Sequence, residues 1–193
     1  MSWKEIAFYG RKVVSNGFVE GNFGNISERS GKNLTITKTG TFLDELNENG
    51  VITLPVDERG IVDEAAEKKA SSELKVHRAV YNKTDAGAII HVHSPYAVAM
   101  SLLETGRGER SIKPIDSEGL LFLKDIPIVS GGIGTPELAE NISDALTHAR
   151  AAIACGHGVF AAGKDLGEAY ITAAQTEHAA RTAYLCGVAR RIF

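Results

Sequence analysis

The segment Ala88-Ile89-Ile90-His91-Val92-His93-Ser94-Pro95 carries the strongest signal for the fold of this chain. Its apolar run predicts a buried strand over residues 87–93, and Pro95 fits the first position of a following helix. Side chains alternate between the two faces of a strand, so His91 and His93 point to the same side. Two imidazoles on one face suit a single divalent metal ion, although two ordinary polar residues near a strand end give the same pattern.

Two other segments bear on this metal hypothesis. Glu73 follows two serines near the start of a predicted helix, and His157 lies between two glycines and two predicted strands. Three imidazoles and one carboxylate are a usual ligand set for Zn²⁺. We therefore predict His91, His93 and His157 as metal ligands. Glu73 would be a displaceable fourth ligand and a catalytic base, the ordinary alternative being an acid favoured by the helix dipole.

The other histidines receive different interpretations. His77 lies one helical turn after Glu73, which favours a pair between the two side chains, at the surface or behind the metal ligands, over direct metal binding. His148 and His178 lie in predicted helices without identifiable partners, and we interpret both as structural or exposed.

A second group of residues predicts an anion pocket. Glycine-rich turns and a helix N-terminus bind phosphate through backbone N–H groups and hydroxyls, without requiring a lysine. Each of these segments is also a plain turn signal when taken alone. The candidate phosphate-binding residues are Gly24, Asn25, Thr39, Gly40, Ser71 and Ser72.

Composition limits the classes of function. The chain has 193 residues and a formal net charge of −3, which predicts one domain over residues 1–193 and no affinity for nucleic acid. No apolar stretch approaches the roughly 18 residues of a membrane span, and the N-terminus does not resemble a signal peptide. The two cysteines lack a Cys-x-x-Cys spacing. We expect a cytoplasmic protein with free thiols and no membrane association.

Capping and turn signals predict the remaining elements. Capping boxes start helices at Ser2 and at Asp165, and Thr135-Pro136 starts another that runs to about residue 148. A further helix begins at Ser71 or Ser72 and ends near Tyr81. Residues 120–130 alternate poorly and are interpreted as short strands and loop. The other predicted strands form a hairpin over about residues 21–37 and single strands at residues 51–56, 151–155 and 159–162.

The order of these elements indicates the fold class. Many successive strands have links of hairpin length, which parallel strands cannot use. We therefore predict an α/β protein whose sheet is mostly antiparallel or mixed and is covered by helices, and we reject a doubly wound parallel sheet.

Several motifs together resemble the class II aldolase/adducin family over roughly residues 5–185. They are Gly24-Asn25-Ile26-Ser27, Thr37-Lys38-Thr39-Gly40, Ser71-Ser72-Glu73, His91-Val92-His93-Ser94-Pro95, His157-Gly158-Val159 and Gly163-Lys164-Asp165-Leu166.

The resemblance implies more than the residues alone. It implies an αβα fold and a homotetramer with sites at subunit interfaces, each subunit holding one Zn²⁺ on His91, His93 and His157. Glu73 would be the exchangeable ligand and acid/base. The implied reaction is reversible cleavage of a 1-phosphorylated ketose, of the L-fuculose 1-phosphate type, to dihydroxyacetone phosphate and an aldehyde such as L-lactaldehyde. The metal would stabilise the negative charge left by carbon–carbon cleavage.

Within this family, three alternatives to the aldolase remain. Pentulose-phosphate 4-epimerases usually carry Asp where this chain has Glu73, which favours the aldolase.

The segment Ile115-Asp116-Ser117-Glu118 lacks the tyrosine of bacterial fuculose aldolases. Glu118 falls about where methylthioribulose-1-phosphate dehydratases place a catalytic glutamate, so it is a second catalytic candidate, unless it simply faces solvent. Adducin-type assembly modules lack the metal residues that this chain has.

Overall fold

The computed structural model describes residues 3–57 and 63–192, with the side chains of the last two omitted. Eight strands form one sheet in the order β3-β2-β1-β4-β8-β7-β6-β5. The strands are β1 Asn25–Ser30, β2 Asn33–Thr37, β3 Val51–Pro55, β4 Ala88–Val92, β5 Ser111–Ile112, β6 Ile126–Val129, β7 Ala151–Ala154 and β8 Gly158–Gly163. The helices are α1 Trp3–Ser15, α2 Glu64–Glu67, α3 Leu74–Lys83, α4 Pro95–Gly106, α5 Pro136–Ala145 and α6 Leu166–Ile192.

The sheet is mostly antiparallel, as predicted. Strands β6 and β7 form the one parallel pair among the paired strands of the described residues, and all other neighbours run in opposite directions. The histidine strand β4 lies between β1 and β8, with His91 opposite Asn25 on one side and opposite Phe160 on the other. The α/β class with an antiparallel or mixed sheet is therefore confirmed.

Helices cover both faces of this sheet, which gives three layers. One apolar core joins the sheet to α1, α4 and α6, and a second core joins its other face to α3 and α5. Because β4 is buried on both faces, Ile90 packs in the first core and Ile89 in the second. His91 lies two residues from Ile89 and so projects from the face covered by α3 and α5.

The local signals located the starts of α4, α5 and α6. Ser94 is the N-cap of α4 with Pro95 next to it, and the Thr135 hydroxyl accepts from the Leu138 amide at the start of α5. The Asp165 carboxylate accepts from the Glu168 amide at 2.8 Å. Helix α3 begins at Leu74 with Glu73 as N-cap, slightly later than predicted. The predicted cap at Ser2 lies outside the described residues.

The prediction for residues 120–130 was partly wrong. Ile126–Val129 is a strand, but Gly119–Leu123 is a π-helical turn closed by a hydrogen bond from the Lys124 amide to the Gly119 carbonyl. The four consecutive apolar residues at 120–123 show no helical period, so pattern alone favoured a strand. The Asp116 carboxylate accepts from the Gly119 amide at 2.9 Å and starts the turn. Such turns are uncommon and depend on local contacts.

Helices of the described segments are all too short or too polar to cross a membrane.

Candidate active site

The three candidate metal ligands converge at one edge of the central strands. His91 and His93 come from the end of β4, and His157 from the tight turn between β7 and β8. Their nearest ligand atoms all lie within 4.8 Å of one another. Gly158 permits this approach, because a Cβ there would lie 2.5 Å from the Val92 carbonyl oxygen.

The hydrogen bonding of His91 makes one ring nitrogen available to a metal. Its Nδ1 lies 2.9 Å from the Val159 carbonyl oxygen, which can only accept, so Nδ1 carries the hydrogen. Its Nε2 is left with a lone pair and lies 3.1 Å from Nε2 of His93. Tetrahedral zinc places imidazole nitrogens about 3.3 Å apart, given bonds of about 2.05 Å. The spacing therefore fits one shared ion.

Burial keeps these imidazoles in the form that binds metal. Desolvation and the neighbouring imidazoles lower the pKa of His91 well below its ordinary value and that of His93 to about 4. Burial also lowers the pKa of His157. All three rings are neutral near pH 7, as metal binding requires.

Aromatic side chains fix the orientation of two of the rings. Phe160 stacks on His91 with ring centroids 4.0 Å apart, and Phe23 stacks on His93 with centroids 5.3 Å apart. Contacts of this kind restrict rotation of a ligand without using its nitrogens.

Glu73 lies on the same cavity as the triad but outside the compact histidine cluster. Its side chain is 2% exposed, and Oε1 accepts from the Gly134 amide at 3.1 Å. Oε2 is buried and has no hydrogen-bond partner among the described residues. Burial raises the pKa of this carboxyl to about 7, although the Gly134 amide opposes the shift. Such a group can take up or release a proton near neutrality.

The predicted phosphate residues lie around the same cavity, which has a volume of about 160 Å³. Asn25 and Ser71 are buried, whereas Thr39, Gly40 and Ser72 are exposed towards its opening. Gly24 has φ 77°, and a Cβ there would lie 2.6 Å from the His91 carbonyl oxygen, so the close approach to β4 requires glycine. The cavity is lined by Asn22, Phe23, Gly24, Asn25, Lys38, Thr39, Gly40, Ser71, Ser72, Glu73, His91, His93, Ile133 and His157.

The expected donors of this pocket need one correction. The amides of Thr39 and Ser71 already donate to the carbonyls of Lys69 and Thr37. These two backbone N–H groups are therefore not available to an anion. The amides of Gly40 and Ser72 bond no backbone carbonyl among the described residues, so they can still bind phosphate there, together with side-chain hydroxyls, the Asn25 amide group and Lys38.

Of the two kinds of pair between His77 and Glu73 that the sequence left open, the structure excludes the one at the surface. The His77 ring is fully buried, and its Nδ1 lies 2.6 Å from the Ser27 hydroxyl. Residue spacing along α3 could not show this contact, because Ser27 belongs to β1. His148 and His178 are exposed, in agreement with their interpretation.

Glu118 is not brought to this cavity. Its side chain is exposed, and it lines a separate cavity with Tyr96, His178 and Arg181. A hydrogen bond from the Ser117 hydroxyl lowers the pKa of the carboxyl. In this chain, therefore, Glu73 is the carboxylate that shares a cavity with the three histidines.

One contributing residue had no signal in the sequence. Glu177 of α6 is buried and accepts from the amides of Tyr96 and Ala97 at 3.0 and 2.9 Å. It thereby satisfies two of the first amides of α4, directly after the His93-Ser94 segment. A glutamate in the middle of an alanine-rich helix gives no indication of a partner some 80 residues away.

Comparisons with known proteins give matches over most of the chain. A family model described as "Class II Aldolase and Adducin N-terminal domain" matches residues 4–184. The L-fuculose phosphate aldolase of Methanococcus maripaludis (strain C7 / ATCC BAA-1331) is 35% identical over 170 residues, 87% of this chain and 88% of that protein. The 5-deoxy-D-ribulose 1-phosphate aldolase of Bacillus thuringiensis serovar kurstaki is 30% identical, covering 94% of this chain and 83% of its own length.

A solved structure is similar over nearly the whole chain. The L-fuculose-1-phosphate aldolase of Thermus thermophilus superimposes with a TM-score of 0.87 at 29% identity, covering 97% of this chain and 95% of that one.

Proposed function

Since this chain belongs to the class II aldolase and adducin family, whose relatives mark it as a lyase, we propose that it cleaves a 1-phosphorylated ketose reversibly. The products would be dihydroxyacetone phosphate and an aldehyde. L-fuculose 1-phosphate, which would give L-lactaldehyde, is the first substrate to test. The observation that carries this proposal is one cavity that contains the histidine triad, Glu73 and the predicted phosphate residues.

One metal ion per chain, Zn²⁺ in our proposal, would be held by His91, His93 and His157. The ion would act as a Lewis acid on the oxygens next to the bond that breaks. Three neutral imidazoles whose ligand atoms lie within 4.8 Å of one another, with those of His91 and His93 at 3.1 Å, support zinc as the preferred ion.

Side chains of the protein would transfer the proton and bind the phosphate. Glu73 is the proposed base and exchangeable ligand, because its carboxyl combines a pKa of about 7 with a buried oxygen facing no protein donor among the described residues. Gly24, Asn25, Thr39, Gly40, Ser71 and Ser72 would surround the phosphate, with Lys38 adding positive charge. The bound ketose would then extend from the opening towards the triad.

Cleavage is preferred over the dehydratase and epimerase reactions on two grounds. The dehydratase hypothesis depended on Glu118, which lines a different cavity. The epimerase hypothesis expected Asp where this chain has Glu73. A catalytic role of Glu118 stays a prediction, and it would require a second copy to bring this carboxylate to the cavity.

We further propose a homotetramer with sites at its interfaces and a cytoplasmic location. Exposed apolar side chains on the π-helical turn, Leu120, Leu121 and Phe122, support an interface. Both cysteines are free thiols, which is consistent with a reducing compartment.

The test is an assay of zinc-loaded protein with L-fuculose 1-phosphate and 5-deoxy-D-ribulose 1-phosphate. Dihydroxyacetone phosphate is detected with a coupled dehydrogenase, and dicarbonyl products are measured in parallel. We expect triose phosphate and aldehyde in equal amounts. A dicarbonyl product without triose phosphate would replace the aldolase proposal by the dehydratase.

A further inference from the structure

Helix α3 and the residue that caps it bury two polar atoms that have no hydrogen-bond partner among the described residues. They are Oε2 of Glu73 and Nε2 of His77. The two residues are four apart and so share one face of the helix. Side chains of a helix lean towards its N-terminus, which directs the His77 ring towards the Glu73 carboxyl. Both side chains are almost completely buried, with exposures of 2% and 0%.

The partners of Ser27 determine which nitrogen of His77 carries the hydrogen. The Ser27 hydroxyl lies 2.6 Å from Nδ1 of His77 and 2.7 Å from the Tyr81 hydroxyl. If the Tyr81 hydroxyl donates to the Ser27 oxygen, the Ser27 hydroxyl can donate to Nδ1 of His77. Both hydroxyl hydrogens then have an acceptor. If instead Ser27 donated to Tyr81, the buried Tyr81 hydroxyl hydrogen would lose the Ser27 oxygen as its acceptor. The first arrangement is favoured, and it leaves the ring hydrogen on Nε2.

A phenyl ring separates His77 from the metal ligands. The Phe160 ring stacks on His91 and meets His77 edge-on with centroids 6.3 Å apart. His77 is therefore excluded from the triad but lies in the layer behind it. It can influence Glu73 without coordinating the ion.

We propose that His77, oriented by Ser27, is a positioning residue that donates from Nε2–H through one bridging water to Oε2 of Glu73. A buried water needs about three polar partners, and these two atoms supply two of them. The contact would hold the carboxyl in the orientation it needs as a base. This inference rests on the proposed function only in giving Glu73 that role.

The first test does not depend on activity. In ¹⁵N-histidine-labelled full-length protein, long-range nitrogen–proton spectra report the tautomer of the His77 ring. We expect hydrogen on Nε2, and we expect the Nε2 resonance to shift in Glu73→Gln but not in the control Glu137→Gln, which alters an exposed glutamate of α5. Hydrogen on Nδ1, or a resonance insensitive to Glu73→Gln, would overturn the proposal.

The second test is a double-mutant cycle between His77 and Glu73. The readout is the exchange of carbon-bound hydrogen of dihydroxyacetone phosphate with deuterated solvent, which needs no aldehyde. His77→Leu should lower the exchange rate about 10- to 100-fold in the wild type while zinc content stays at one ion per chain. In the Glu73→Gln background the same change should have less than about a threefold effect. Equal effects in both backgrounds would overturn the proposal.

Two matched variants separate positioning from simple loss of packing. His77→Gln keeps an acceptor for Ser27 and a donor towards Glu73, so it should restore most of the rate lost in His77→Leu. Val80→Ala removes packing at a similarly buried position of α3 and leaves the hydrogen bonds of Ser27 intact, so it should preserve the coupling. If the glutamine variant is as slow as the leucine variant, His77 does not act by hydrogen bonding.

The two proposals fail separately. A wild-type enzyme that shows no exchange would refute the aldolase proposal, while the tautomer and the response to Glu73→Gln would still decide the role of His77.

Discussion

At the scale of single residues, Glu73 is subject to opposing effects on one carboxyl. Burial favours the protonated form, whereas the Gly134 amide favours the carboxylate. The two effects leave the carboxyl with a pKa of about 7, in the same cavity as the three histidines. A side chain that only capped α3 would need no such balance, and Glu73 makes no side-chain capping bond.

Glu73→Gln tests its role as base. The amide preserves the shape of the side chain but cannot take up a proton, so we expect kcat to fall about 10²- to 10⁴-fold. Zinc content should remain near the wild-type value, because three histidines still bind the ion. Steady-state kinetics with elemental analysis of the same sample measures both quantities. A kcat within about threefold of the wild type would show that another group is the base.

His77 should make stability depend on pH. Burial lowers its pKa from 6.5 to about 3 in the folded protein. Above pH 6.5 both states are neutral and the full stability is present, whereas below it only the unfolded chain takes up the proton. Stability should thus fall towards pH 3 by about 1.4 kcal/mol per pH unit from this residue.

Urea unfolding of the metal-free protein at several pH values measures this dependence. In His77→Gln the slope of the unfolding free energy against pH should be lower by about 1.4 kcal/mol per unit. Parallel curves for wild type and variant would contradict the buried neutral state of His77.

The sequence predicted the histidine pair because strand periodicity is a local property. Alternation along β4 is enough to place His91 and His93 on one face, without any tertiary contact. The contacts of Glu73 with Gly134 and of His77 with Ser27 join segments distant in the chain, so no spacing rule could reveal them.

At the scale of elements, the start of α4 depends on a side chain from α6. The Glu177 carboxylate bonds the Tyr96 and Ala97 amides, where Ser94 makes no side-chain cap. Glu177→Ala would leave two amides unsatisfied and should lower the free energy of unfolding by about 2 kcal/mol. The metal affinity should fall as well, because α4 begins next to His93.

Chemical denaturation and zinc titration measure the two effects. Glu137→Ala is the matched control, since it removes an exposed first-turn glutamate from α5. The control should change stability by less than about 0.5 kcal/mol. If Glu177→Ala behaves like the control, its hydrogen bonds do not hold α4 in place.

Capping chemistry explains which elements were predictable. The starts of α4, α5 and α6 were predictable because the rings of Pro95 and Pro136 and the side chains of Thr135 and Asp165 act within a few residues. The π-helical turn at Gly119–Leu123 was missed because its stability comes from Asp116 and from packing against α6. Sequence periodicity carries no information about such contacts.

At the scale of the whole molecule, three neighbouring apolar side chains face outward. Leu120, Leu121 and Phe122 are 59, 68 and 44% exposed, which is unfavourable unless a second copy covers them. We expect the wild type to sediment as a tetramer and Leu121→Asp to give smaller species. Thr147→Asp, an exposed change in the turn after α5, is the control. An unchanged tetramer in Leu121→Asp would exclude this turn from the interface.

The fold class followed from hairpin-length links, but the order of the strands did not. Only the pairing of β4 with both β1 and β8 brings Asn25, His91 and the turn carrying His157 together. From the sequence, that convergence depended on the family resemblance and on ligand chemistry. The separate position of Glu118 could not be foreseen in either way.

The most direct test is the binding of zinc to metal-free protein, measured by competition with a chelating dye. We expect one tightly bound ion per chain in the wild type and a loss of affinity of at least about 10- to 100-fold in each of His91→Ala, His93→Ala and His157→Ala. His148→Ala, which removes an exposed histidine, should bind zinc as the wild type does. Undiminished zinc binding in any of the three triad variants would contradict the shared metal site.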